Sequence, residues 1–72
     1  MIRKRFLEVF RENSDGTLVP QKTIEVNNVT LTPAVIIGPG NFFGGVDFHK
    51  FKYFDVDIEE MGEVWVIKGF YR

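Results

Sequence analysis

Between Tyr53 and Glu59 apolar and acidic side chains alternate without a break, Phe54, Val56 and Ile58 against Asp55, Asp57 and Glu59. A period of two over this length predicts a strand with one face buried and the other in water. Glu59-Glu60-Met61-Gly62 follows with turn chemistry, and Glu63 to Tyr71 returns as the second arm of a hairpin. The returning arm is apolar on both sides, with Val64 and Val66 on one face and Trp65, Ile67 and Tyr71 on the other. A strand that needs cover on both faces belongs in the middle of a sheet, or beneath a second sheet or subunit.

The first segment, Ile2 to Glu12, supports two readings. Ile2, Phe6, Val9 and Phe10 share one helical face. Against this, Asn13-Ser14-Asp15-Gly16 suits a three-residue hairpin loop with glycine in the left-handed position. Pairing outward from that loop sets Phe10 opposite Pro20, Glu8 opposite Lys22, Phe6 opposite Ile24 and Arg5 opposite Glu25. Two opposite-charge pairs and an apolar pair in one register favour the strand. Asn27-Asn28 then makes a two-residue type I′ turn, since asparagine tolerates positive φ. It sets Val26 opposite Val29, Ile24 opposite Leu31 and Thr23 opposite Thr32. The first 32 residues thus read as a three-stranded meander. One face collects Phe6, Phe10, Ile24, Val26, Val29 and Leu31, and the other is polar apart from Leu7, Val9 and Val19.

Pro33 interrupts the third strand or marks it as an edge. Ala34 to Ile37 reads as a short buried strand, and Gly38-Pro39-Gly40-Asn41 and Phe42-Phe43-Gly44-Gly45 as loop. Phe48 and Phe51, three apart behind Asp47, suit one capped helical turn. The expected fold is therefore all-β (mainly β) in a single domain, residues 1–72. It is a small single sheet or partly closed barrel or sandwich, built from the N-terminal meander and the C-terminal hairpin, with one short helical turn near residues 47–52. These short strands and glycine turns loosely resemble small barrels of the SH3-like or OB-like shape, a likeness that assigns no function.

Composition narrows the classes further. Seventy-two residues make one core, and eleven of them are aromatic, eight being Phe. The net charge of −1 exerts no global pull toward nucleic acid or membrane. The charges are segregated, however: Arg3, Lys4, Arg5 and Arg11 make the start basic, while Asp55, Asp57, Glu59, Glu60 and Glu63 make a later stretch acidic. We read these as two solvated strand faces that are candidates to be neighbours in space. The absence of cysteine excludes disulfides, thiolate metal sites and cysteine nucleophiles. Small secreted domains rely on disulfides, so a cytoplasmic protein is expected. The basic start is followed by no apolar leader segment, and Ala34-Val35-Ile36-Ile37 is too short to span a bilayer, so no membrane partner is expected.

Little in the chain points to chemistry. The Gly38–Gly45 loop lacks both the Gly-Lys-Ser/Thr ending and the dinucleotide glycine spacing, so no nucleotide or other cofactor is expected. It is either a turn whose Phe42 and Phe43 fold onto the core or an exposed aromatic loop for a partner. In the second case Asn41, Phe42, Phe43, His49, Lys50 and Lys52 are the candidate binding residues. His49 is the sole histidine and has no second histidine with which to build a metal site. Asp55, Asp57 and Glu59 would lie about 7 Å apart along one strand face, but no calcium-loop pattern surrounds them. No catalytic or metal residue is assigned, and a non-enzymatic protein is expected. Phe48-His49-Lys50-Phe51-Lys52-Tyr53-Phe54 interleaves rings with lysines, as single-strand-binding surfaces do, although the acidic run follows at once.

The favoured function is a small interaction or structural domain that self-associates. At about 1.5 kcal/mol per residue, ordering the chain costs roughly 110 kcal/mol, which about 4,300 Å² of apolar burial offsets. A chain of this mass exposes about 12,000 Å² unfolded and buries about 60% of it, so a monomer about breaks even. Apolar residues are left over, and Leu7, Val9, Val64, Trp65, Val66 and Ile67 are the candidate interface of a homo-oligomer, a dimer being the simplest. The alternative is that the chain's own sheets close over these residues. A single-stranded nucleic-acid-binding barrel is the second functional reading, and a small-molecule-binding protein or enzyme a distant third.

Overall fold

The computed structural model describes all 72 residues. In chain order the elements are β1 (Ile2–Arg5), a single helical turn α1 (Phe6–Val9), β2 (Phe10–Glu12), β3 (Leu18–Pro20), β4 (Ile24–Val26), β5 (Val29–Leu31), a 3₁₀ turn (Phe48–Phe51), β6 (Asp55–Met61) and β7 (Val64–Tyr71). Five strands form one mixed sheet in the order β1-β6-β7-β4-β5, and β2 and β3 pair apart from it. The protein is thus a small, mainly β domain with two single helical turns, one between β1 and β2 and one between β5 and β6, and its sheet does not close into a barrel. No helix is long and apolar enough to cross a membrane.

The turns form where local chemistry demands them. Asn27 and Asn28 take φ of 49° and 68°, and the type I′ geometry sets Val26 opposite Val29 and Ile24 opposite Leu31. Gly16 takes φ of 87° at the end of the β2–β3 loop. That loop is closed by Asn13 N–H to the Thr17 carbonyl (2.8 Å) and by Asp15, which accepts from both the Thr17 amide and hydroxyl. Asp47 caps the 3₁₀ turn by accepting from the His49 N–H. The β6–β7 turn lies two residues later than its composition suggests. Met61 still pairs with Val64, and Gly62-Glu63 alone makes the corner, with Gly62 at φ 62°.

The N-terminal meander is corrected. Phe10 does pair with Pro20, but the pairs Glu8–Lys22, Phe6–Ile24 and Arg5–Glu25 do not form, and Thr23–Thr32 lies outside the β4–β5 ladder. The helical and strand readings of residues 2–12 each hold over part of the segment. A turn of helix at Phe6–Val9 buries Phe6 and Val9 together, and this breaks the strand in two. The first piece then joins β6, setting Arg3 against Asp57 and Arg5 against Asp55. The basic start and the acidic run are therefore adjacent strands, with Arg3 Nε 2.9 Å from Asp57 Oδ1. β4 leaves the hairpin to lie parallel to β7, Ile24 beside Trp65.

Ala34–Ile37 is corrected as well. Only Ile37 is buried; it makes one bridge to Leu18, and Ile36 is exposed. The Val35 N–H donates to the Thr32 carbonyl (3.0 Å) and the Ala34 N–H to the Thr32 hydroxyl (3.3 Å), so the segment opens as a turn after Pro33 and not as an extended ladder.

β7 sits between β6 and β4, the central place its two apolar faces require. A bulge where Asp57 pairs with Gly69 but Ile58 with Ile67 leaves Lys68 as the extra residue. It shifts the alternation by one, so that Phe70, like Ile67, turns to the core face. On that face β6 contributes Val56 and Ile58, and α1, β2, β3 and the 3₁₀ turn cover them. Six phenylalanines form a continuous line of ring contacts from the buried Phe6, Phe10 (4.6 Å between centroids) and Phe48 to the half-buried Phe70, Phe51 and Phe54. Arranged this way the rings fill volume with little side-chain entropy to lose.

Candidate functional site

The expected partner-binding loop is split by its own turn chemistry. Gly44 and Gly45 take φ of 58° and 75° and close a tight turn in which Phe43 and Val46 exchange both backbone hydrogen bonds (3.1 and 2.9 Å). The turn is tied to the β4–β5 corner by Asn27 Nδ2, which donates to the Gly44 carbonyl at 2.7 Å. Phe43 consequently packs against the core, while Phe42, one residue earlier, is 62% exposed beside the exposed Asn41.

The remaining candidates of that set are mostly occupied by the fold. His49 Nε2 lies 3.0 Å from the Ile37 carbonyl, which ties the 3₁₀ turn to the bridge at Leu18. Lys52 donates to Glu12 Oε2 at 2.7 Å, and Lys50 is exposed. Asn41, Phe42, Phe43, His49 and Lys50 line neither of the two hollows in the surface. Of the rings interleaved with lysine, Phe48 is buried and Phe51 and Phe54 stack edge-on within the phenylalanine chain, so Tyr53 alone stands free.

The expected oligomer interface is also divided. Val9 and Ile67 are buried in the protomer's own core, which is a correction: neither side chain is available to a partner. Val64 and Val66 lie half-buried on the open face of the sheet. Trp65 points to the core side, with the Lys4 and Lys22 ammonium groups 5.0 and 5.3 Å from its ring centroid. Its indole N–H is buried without a hydrogen-bond partner. Leu7 remains on the surface, 50% exposed.

The open face of the sheet neutralises itself. Asp57 is held by Arg3, and Glu59 lies 3.4 Å from Lys68 Nζ. The Asp57 hydrogen bond and charge push the Arg3 pKa further up. The Asp55, Asp57, Glu59 row therefore faces cations on both flanking strands, and no three His, Asp or Glu side chains converge to hold a metal ion.

Leu7 belongs to a feature the sequence did not reveal. A cleft of about 470 Å³ opens where β1 turns into α1 and the 3₁₀ turn runs into β6. Its floor includes Phe6 and Phe54, the two ends of the phenylalanine chain, joined by Phe6 N–H to the Phe54 carbonyl (3.2 Å). Leu7 and Tyr53 rise beside it, Tyr53 being 91% exposed, and Arg5, Glu8, Lys52 and Asp55 complete the walls. Arg5, Glu8 and Asp55 form no ion pair within the chain, whereas Lys52 has Glu12. The sequence signals for Tyr53 were its place just ahead of the strict alternation and among the rings interleaved with lysine, and neither marks it as the one ring of that segment left exposed.

Comparison with protein-family models, characterised proteins and solved structures finds no match to this chain.

Proposed function

We propose that the protein is a small non-enzymatic interaction domain that associates with itself, most simply as a dimer. The observation that carries this reading is the division of labour among its side chains. Polar groups that could act chemically hold the fold instead: His49 on Ile37, Lys52 on Glu12, Asp47 on the 3₁₀ turn, Asp57 on Arg3. Large apolar side chains meanwhile stand in water, including Leu7, Ile36, Phe42, Tyr53 and Met61. The accessible surface of 4447 Å² is close to the roughly 4,600 Å² expected of a monomer of this mass. Association would therefore join protomers that are already folded, rather than complete an unfinished core.

Sedimentation equilibrium over a hundredfold range of concentration tests the reading. A weight-average mass that rises above 8.4 kDa with concentration is expected. A mass that stays at that value throughout, with a sharp melt, refutes it. Single-stranded nucleic-acid binding has less support, because Phe48 is buried, Phe51 and Phe54 are packed against other rings, and Tyr53 alone of the interleaved rings is exposed. A titration with mixed oligonucleotides at two salt concentrations addresses it, since phosphate-driven binding weakens steeply with salt.

A further inference from the structure

We propose that two copies meet across a two-fold axis at the Leu7–Tyr53 cleft, an assignment that rests on the self-association reading and names its surface. A two-fold interface brings one patch against itself, so the patch must be self-complementary. This one supplies both parts of such a fit: an exposed aromatic ring and an exposed leucine stand beside a hollow floored by Phe6 and Phe54. Its charges have both signs, and the Arg5 guanidinium and the Glu8 and Asp55 carboxylates form no ion pair inside the chain. A second copy rotated by 180° offers each of these groups a patch that also carries its opposite charge. Tyrosine and arginine around an apolar centre are also the residue types in which interface energy concentrates.

The other surfaces are less suited to a second copy. The free edge of β1 is interrupted because the Arg5 N–H already donates to Glu8 Oε1 at 3.0 Å, and its side chains are Arg3, Lys4 and Arg5, which repel a copy of themselves. β5, the other edge, is three residues long and is followed by Pro33 within two positions. On the open face the acidic row already has Arg3 and Lys68 as counter-ions.

The test compares the wild type with Leu7→Asp, Tyr53→Ser and, on the open face, Met61→Lys, all at exposed positions. Association is read by sedimentation equilibrium and folding by thermal melts. The expected result is a dissociation constant raised at least about tenfold by each cleft variant, with melting unchanged for Tyr53→Ser and association unchanged for Met61→Lys. Concentration-dependent amide shifts in the wild type should then centre on residues 5–8 and 52–55. A wild type that stays monomeric overturns the assignment together with self-association itself. A wild type that associates equally well with either cleft residue replaced, or that is disrupted by Met61→Lys alone, overturns the cleft assignment and leaves self-association standing.

Discussion

Alanine at Gly44 would set its Cβ 2.7 Å from the Val26 carbonyl oxygen and 3.3 Å from the Val26 side chain. Alanine at Gly45 would meet nothing within 4 Å. Both residues have φ in the left-handed region, 58° and 75°, where a Cβ costs about 1–2 kcal/mol. That strain is common to the two variants, and so is the entropy that alanine removes from the unfolded chain. Their difference isolates the close approach of the turn to β4. Relieving a 2.7 Å contact with backbone requires the turn to move, which also stretches the Asn27 Nδ2 bond to the Gly44 carbonyl, a contact worth about 1 kcal/mol. We expect Gly45→Ala to destabilise by about 1–2 kcal/mol and Gly44→Ala by about 2 kcal/mol more. Urea unfolding is the assay; at a slope near 1 kcal/mol per M, the two midpoints should differ by about 2 M. Gly45→Asn should lie close to wild type, because asparagine tolerates positive φ. Equal midpoints for the two alanine variants would mean that the turn does not lean on Val26, and the account of how Phe43 is seated would fail with it.

Three further outcomes follow from the same geometry. Phe48 is fully buried between Phe10 and Phe70, so Phe48→Ala should cost about 3–5 kcal/mol; a loss below about 1 kcal/mol in urea titrations would contradict the core assignment. Trp65→Phe should cost less than about 1 kcal/mol, because losing ring area and two cation–π contacts is offset by removing a buried, unpartnered N–H worth about 1–3 kcal/mol; a loss above 2 kcal/mol in urea titrations refutes that balance. The Thr17 hydroxyl and amide hold the Asp15 pKa below the ordinary carboxylate value, so this contribution to stability is present above about pH 4 and disappears as pH falls through the lowered folded-state value. Carboxyl NMR should show the depression, and Thr17→Val should move Asp15 partway back; an unshifted wild-type titration contradicts it.

The features legible before folding lie within a few residues of each turn. Asn27-Asn28, the Gly16 loop, the Asp47 cap and the alternation of β6 are settled by local sterics and by one hydrogen bond or one face, so neighbouring residues suffice to read them. The central place of β7 was legible for a related reason, since apolar residues on both faces leave few other places for a strand. Which strands pair over long distances was decided only in the tertiary structure. Arg5 finds an opposite charge either at Glu25 or at Asp55, and sequence alone does not rank the two. The choice turned on Phe6 and Val9, which enter the core together only if the chain takes a helical turn there. That turn ended the hairpin, released β1 to the acidic strand and left Leu7 outside while Val9 went in. The parallel contact of β4 with β7 brings Ile24 beside Trp65 across some 40 residues, and no local pattern encodes it. The cleft has the same origin: Leu7 and Tyr53 lie far apart in the chain, and only the seating of β1 on β6 brings their two corners to one hollow.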